Sequence, residues 1–199
     1  MVSGQGMGKI HRRKSIRLKD YDYAQAGAYF VTVIARGRQS LFGEVTDGEV
    51  GLSRWGEIVR EEWFKSAQVR PYLRLEGDGF VVMPNHVHGI IWIIEDDVGA
   101  RRRRAPTAER FSDPVAGSLP TIARSFKAVT TRRINFERKT PGLPVWQRNY
   151  YEHVIRGEDQ LERIRRYIVD NPLQWKRDLE NPNASRLTSA PSIDEPWRA

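Results

Sequence analysis

The sequence contains no cysteine. Disulfides are excluded, and so is any cysteine-ligated zinc or iron–sulfur centre. The absence fits a reducing, cytoplasmic setting. Long hydrophobic runs are also missing: the longest apolar stretch, Gly89 to Ile94, is far too short to span a bilayer. The first residues are glycine-rich and then basic, without the apolar segment of a signal peptide. No internal repeat is visible. Acidic residues are in deficit, with 25 Asp+Glu against 33 Lys+Arg and a formal charge of +8. Such a surplus favours a polyanionic partner without identifying it.

What is present suffices for one folded domain. The chain has 199 residues, 39% of them hydrophobic, with six tryptophans. Residues 1–20 carry Lys9, Arg12, Arg13, Lys14, Arg17 and Lys19 with few apolar neighbours. They read as a basic arm along a phosphate backbone, or equally as a solvated tail. A β-branched and aromatic strand spans Tyr29 to Ile34. A hairpin follows, Leu41 to Val45 and Glu49 to Leu52, turning at Asp47-Gly48. Ser53 caps a helix to about Ala67, with Trp55, Ile58, Val59 and Trp63 at helical spacing.

A strand from about Leu75 to Met83 turns at Pro84-Asn85 into a second, His86 to Ile94. Residues 95–118 form an Arg-rich flexible insertion containing Arg101 to Arg104. Next come a helix from Leu119 to Arg138, a strand from Val145 through Arg148 and on to Ile155, and a helix from Glu158 to Asn171. Pro172 is expected to end that helix, because the residue before a proline is pushed out of the α region. The order strand, helix, strand, strand, helix, strand predicts an α+β, ferredoxin-like antiparallel sheet with two helices on one face. The 158–171 helix can then cover the other face. The domain is expected to span residues 21–177, with 178–199 as a tail.

His86 and His88 lie two apart on a strand, so both imidazoles project from one face. Such a pair can share a cation, or it can be two half-buried histidines satisfied by hydrogen bonds. In the last helix, Leu161, Ile164 and Ile168 form an apolar stripe, with Tyr167 and Asn171 four apart on its shoulder. Asn171 can offer its carbonyl oxygen as a third ligand, or serve only the helix end. Tyr167 would then stand beside the cation, or be an ordinary boundary tyrosine. The chemistry suited to such a set is phosphoryl transfer. A cation neutralises charge on a scissile phosphate, and a phenolic oxygen attacks in line. Two imidazoles, an amide oxygen, phosphate oxygens and water suit Mg²⁺ or Mn²⁺.

Met83-Pro-Asn-His-Val-His-Gly89 resembles the His-hydrophobic-His motif of single-strand insertion-sequence transposases. Val145-Trp-Gln-Arg148, Tyr150 to Arg156 and Arg166-Tyr-Ile-Val-Asp-Asn-Pro172 are similar to later blocks of that superfamily. They look most like its REP-associated tyrosine transposases, as do Arg12 to Leu18, Tyr29 to Thr32 and Leu41 to Glu44. The resemblance spans roughly residues 10–177. It implies a metal at His86 and His88, a third ligand at Asn171, Tyr167 as nucleophile, and cleavage of single-stranded DNA near a hairpin through a 5′-phosphotyrosine.

This sequence departs from the pattern in three ways. Tyr150 and Tyr151 are competing tyrosines, the third ligand in insertion-sequence relatives is often Gln, and the 95–118 segment is longer than a compact member needs. Insertion-sequence relatives act as homodimers with the tyrosine in trans, whereas the REP-associated branch can act as a monomer.

Arg12, Arg13, Arg124, Lys127, Arg132, Arg133 and Arg148 are candidates to track the DNA backbone. Trp146, Tyr150 and Tyr151 are candidates to stack on bases. The competing class is a non-catalytic hairpin or single-stranded nucleic-acid binder, including a repurposed transposase acting as a regulator. RNA-binding modules share the core fold, but they need aromatics on an open sheet face, and here that face carries two histidines and a covering helix.

Overall fold

The structure is a computed structural model that describes residue 18, residues 21–95 and residues 115–184. The expectations for Arg12, Arg13, Arg101 to Arg104 and the last fifteen residues lie outside the described residues. Seven strands and three α-helices are assigned among those residues: β1 (Gly27–Ile34), β2 (Gly43–Thr46), β3 (Glu49–Leu52), α1 (Arg54–Gln68), β4 (Leu73–Arg74), β5 (Phe80–Val82), β6 (His86–Ile93), α2 (Leu119–Glu137), β7 (Tyr151–Ile155) and α3 (Glu158–Gln174). No helix among the described residues is long and apolar enough to cross a membrane.

The α+β class and the antiparallel sheet expected from the sequence are present. β1 pairs with β6 on one side and β7 on the other, while β4 and β5 pair with the far edge of β6; every pairing is antiparallel. β2 and β3 form a separate hairpin. β1 and β6 are apolar on both faces because both faces are covered. Tyr29, Val31, Val33, Val87 and Ile91 face a core built with Ile58 and Trp63 of α1 and Ile122 and Phe126 of α2. Ala28, Phe30 and Ile90 face the stripe Leu161, Ile164 and Ile168 of α3. The two-residue period thus sorts each strand between two cores, and α3 claims the face that carries the histidines.

Local expectations fail where side chains or turns take over the backbone. Of the predicted Leu75–Met83 strand only Phe80–Val82 is extended pairing, preceded by a 3₁₀ turn at Gly77–Gly79 and by a separate short strand, Leu73–Arg74, that lies before the predicted start. The Val145–Arg148 strand reduces to a single bridge, Ala35 to Trp146. The next carbonyls, of Gln147 and Arg148, accept from Lys127 Nζ at 2.6 and 2.8 Å rather than from a strand. α3 runs through Pro172 to Gln174. A proline so near the end removes one backbone donor, and the burial of Asn171 holds its turn helical. The expected tail also begins inside the folded body: Asp178 is buried.

Gly89 shows how tightly α1 lies on the sheet. A Cβ there would stand 2.3 Å from Trp63 Cζ2. The Trp63 ring is itself stacked on Phe80 at 4.4 Å and packed edge-on against Phe126 at 5.4 Å between centroids. Gly89→Ala is expected to destabilise the protein by about 2 kcal/mol, lowering Tm by roughly 6 °C. Calorimetry checks this, and an unchanged Tm would show that α1 can slide on β6.

Candidate active site

Alternation along β6 sends His86 and His88 toward α3, where both are buried. Their neighbours settle most of the protonation pattern. The carboxamide of Asn85 donates from Nδ2 to the carbonyls of Arg38 (3.2 Å) and Glu180 (2.7 Å). Its Oδ1 therefore faces His86 Nδ1, at 2.8 Å. An amide oxygen only accepts, so His86 Nδ1 carries the proton and Nε2 is left as a lone pair. His88 Nδ1 lies 2.8 Å from Thr32 Oγ1, a hydroxyl able to donate or accept.

The two Nε2 atoms are 2.9 Å apart. Two arrangements satisfy this contact. His88 can donate an N–H to His86 while Thr32 donates to His88. Alternatively, Thr32 accepts from His88 Nδ1–H, and both Nε2 lone pairs converge on one cation. The separation matches two adjacent corners of an octahedron with bonds of about 2.1 Å. Burial pushes His86 down to about 3 and His88 well below its ordinary value. Both are therefore neutral donors at physiological pH.

α3 brings the tyrosine to this pair. Tyr167 Oη is 3.3 Å from His88 Nε2, and its ring packs edge-on against the imidazole at 5.1 Å between centroids. One turn further, Asn171 is buried and its Oδ1 meets no hydrogen-bond donor. A buried acceptor without a donor is costly, and it suits an oxygen ligand. Asp178 was not found by sequence reasoning. It is buried, its Oδ2 lies 3.8 Å from His86 Nε2, and that oxygen also meets no donor. His86, His88 and Asp178 each present a ligand atom within 4.8 Å of the others and could hold a metal ion. The donor set fits a hard divalent cation: two imidazoles, a carboxylate and an amide oxygen.

No family model matches the chain. An uncharacterised protein of Haemophilus influenzae is 40% identical over 174 residues, spanning 85% of this chain and 93% of its own. A second Haemophilus influenzae protein, named as a candidate REP-associated tyrosine transposase, is 23% identical over 153 residues, 77% of this chain and 74% of its own. A solved structure of a REP-associated tyrosine transposase bound to a REP hairpin superposes with a TM-score of 0.53 at 22% identity, covering 82% of this chain and 74% of that one. The chain is thus similar in sequence to a candidate REP-associated tyrosine transposase and shares the fold of a solved one.

The other predicted residues fall in different places. Tyr150 packs into the core on the opposite face of the sheet. Tyr151 lies on the histidine face, its ring 6.5 Å from that of Phe30. Trp146 is a core residue, buried and donating from Nε1 to Thr130 Oγ1 at 2.8 Å, so it offers no stacking surface. Arg133 is held by Glu61 and Glu62 of α1 at 2.7 and 2.6 Å. Lys127 is tied to the 147–148 backbone, and burial lowers it to about 8. Neither cation is free for phosphate. Arg124, Arg132 and Arg148 are exposed.

The buried histidines make stability depend on pH. Below about pH 6.5 the unfolded chain takes up a proton on each imidazole, whereas folded His86 resists protonation down to about 3. Their contribution is full above pH 6.5 and is lost as pH falls toward 3. The expected slope is about 1.4 kcal/mol per pH unit for each histidine. Urea titrations of chelated protein across that window check it. A profile equal to that of the doubly substituted His86→Gln, His88→Gln protein would overturn it.

Proposed function

We propose that this chain is a metal-dependent single-strand DNA endonuclease and strand transferase that acts at DNA hairpins, with Tyr167 as nucleophile. The observation that carries the reading is the 3.3 Å approach of Tyr167 Oη to His88 Nε2 inside a buried pair of imidazoles. The similarity in fold to a transposase solved bound to a REP hairpin supports hairpin DNA as the partner. His86 and His88 would hold Mg²⁺ or Mn²⁺, with Asp178 and Asn171 as the further oxygen donors. When bound, the ion would polarise the scissile phosphate and offset its charge.

The remaining steps belong to the chain. In this reading α3 would present the Tyr167 phenol to the scissile phosphate for in-line attack. A bond forms between Oη and the scissile phosphorus, and the bond from phosphorus to the 3′ oxygen breaks. The phenolic proton passes to water, and the departing 3′ oxygen takes one up. The product is a 5′-phosphotyrosine and a free 3′ hydroxyl. A second 3′ hydroxyl can reverse the exchange and free Tyr167, so joining needs no nucleotide triphosphate.

Incubation with a single-stranded hairpin oligonucleotide and Mg²⁺ or Mn²⁺ should yield a covalent protein–DNA band on a denaturing gel. The band should vanish in Tyr167→Phe and with chelator, and persist in Tyr151→Phe. No band with any hairpin would favour a non-catalytic hairpin binder.

Tyr167 reaches His88 within one chain, which supports a complete site in each monomer. Mixing Tyr167→Phe protein with His88→Ala protein should therefore restore no covalent product. Recovery of activity in the mixture would instead require a homodimer with the tyrosine supplied in trans.

A further inference from the structure

A second concave feature lies away from the histidines. A groove of about 930 Å³ runs between the outer face of α2 and the 141–148 segment. Its lining includes Arg132, Lys139 and Arg148 and no carboxylate. These three side chains are exposed and have no ion-pair partner among the described residues. Phe136 also lines the groove and is 84% exposed, the most exposed large apolar side chain described. Bare cations beside an exposed aromatic ring are the two elements that hold unpaired nucleotides, by phosphate contact and base stacking.

The groove is built rather than loose. Asn135 Nδ2 donates to the Leu143 carbonyl at 2.8 Å, and Lys127 pins the 147–148 backbone from below. A preformed wall lowers the ordering cost of binding. The groove also connects to the catalytic strands. Arg36 N donates to the Val145 carbonyl and Gln147 N to the Ile34 carbonyl, each at 2.8 Å. Ile34 stands opposite His86 in the sheet. From Arg148 the chain enters β7, where Tyr151 pairs with Thr32, the residue bonded to His88.

We propose that this groove is a subsite for unpaired nucleotides of the single strand that flanks the hairpin, with Phe136 stacking on a base and Arg132, Lys139 and Arg148 holding phosphates. The proposal rests on the hairpin-cleaving activity proposed above, but its test is independent of catalysis. Binding is measured by fluorescence anisotropy with full-length Tyr167→Phe protein. The probes are a DNA hairpin bearing a short oligothymidylate flank and the same hairpin without it.

Adding Phe136→Ala should weaken binding of the flanked hairpin about tenfold and leave the blunt hairpin unchanged. Phe136→Trp should restore it. Arg148→Gln should lower the salt dependence for the flanked probe alone, by about 0.7 in the slope of log affinity against log salt. Equal affinity for the two probes, no effect of Phe136→Ala, or the same loss on both probes overturns the proposal. A flank effect without any covalent product in the wild-type chain keeps the subsite and removes the chemistry. The converse result keeps the chemistry and removes the subsite.

Discussion

Two buried imidazole nitrogens 2.9 Å apart set the terms for the rest of this protein. Burial disfavours the charged form of both rings, and a charge on His86 would disfavour one on His88 further. Each ring must then be oriented by its other nitrogen. For His86 the partner is the Asn85 carboxamide, and for His88 it is the Thr32 hydroxyl. Thr32 sits on β1, directly opposite His88 in register. The orientation of the histidine pair thus depends on the central strand pairing, and the pairing depends on cores on both faces.

Asn85 couples that pair to the far end of the chain. Its amide nitrogen bridges the carbonyls of Arg38 and Glu180 while its oxygen orients His86. Arg38 in turn bonds the Leu179 carbonyl at 2.8 Å and pairs with Glu180 at 3.1 Å. The 178–180 segment is therefore clasped to the loop after β1, and Asp178 is carried to the histidines by that clasp. A buried polar network of this kind is worth having only when every member is satisfied. Here the groups without donors, Asn171 Oδ1 and Asp178 Oδ2, are the ones suited to a cation.

Periodicity made part of this legible. The strand period put His86 and His88 on one face, and the helix period put Tyr167 beside Asn171. That the two pairs meet is a property of α3 crossing the sheet, which neither period contains; resemblance to a family supplied it. Asp178 was illegible for a different reason. An acidic residue just past a helix is ordinarily solvated, and nothing local marks the one held down by Arg38 and Asn85. The partners of Lys127 and Arg133 were not legible because periodicity assigns a face and not a partner. Both point outward from the α2 core, and both are consumed by neighbours: backbone carbonyls for one, Glu61 and Glu62 for the other. Pro172 misled because its local rule assumes that the chain before it is free to extend.

Charge gives Asp178 a role that ligand number alone does not. Two neutral imidazoles and a neutral amide offer lone pairs to a divalent cation but no opposing charge. In an interior of low dielectric, an uncompensated double charge is strongly disfavoured. As a ligand, the Asp178 carboxylate would supply one negative charge from inside the chain. In the proposed reaction, the scissile phosphodiester would supply the second from the substrate. The site would reach neutrality only when DNA is in place, so metal and strand would each strengthen the hold on the other. A carboxylate on a clasped C-terminal segment, rather than a third neutral ligand on α3 alone, is what would make that coupling close.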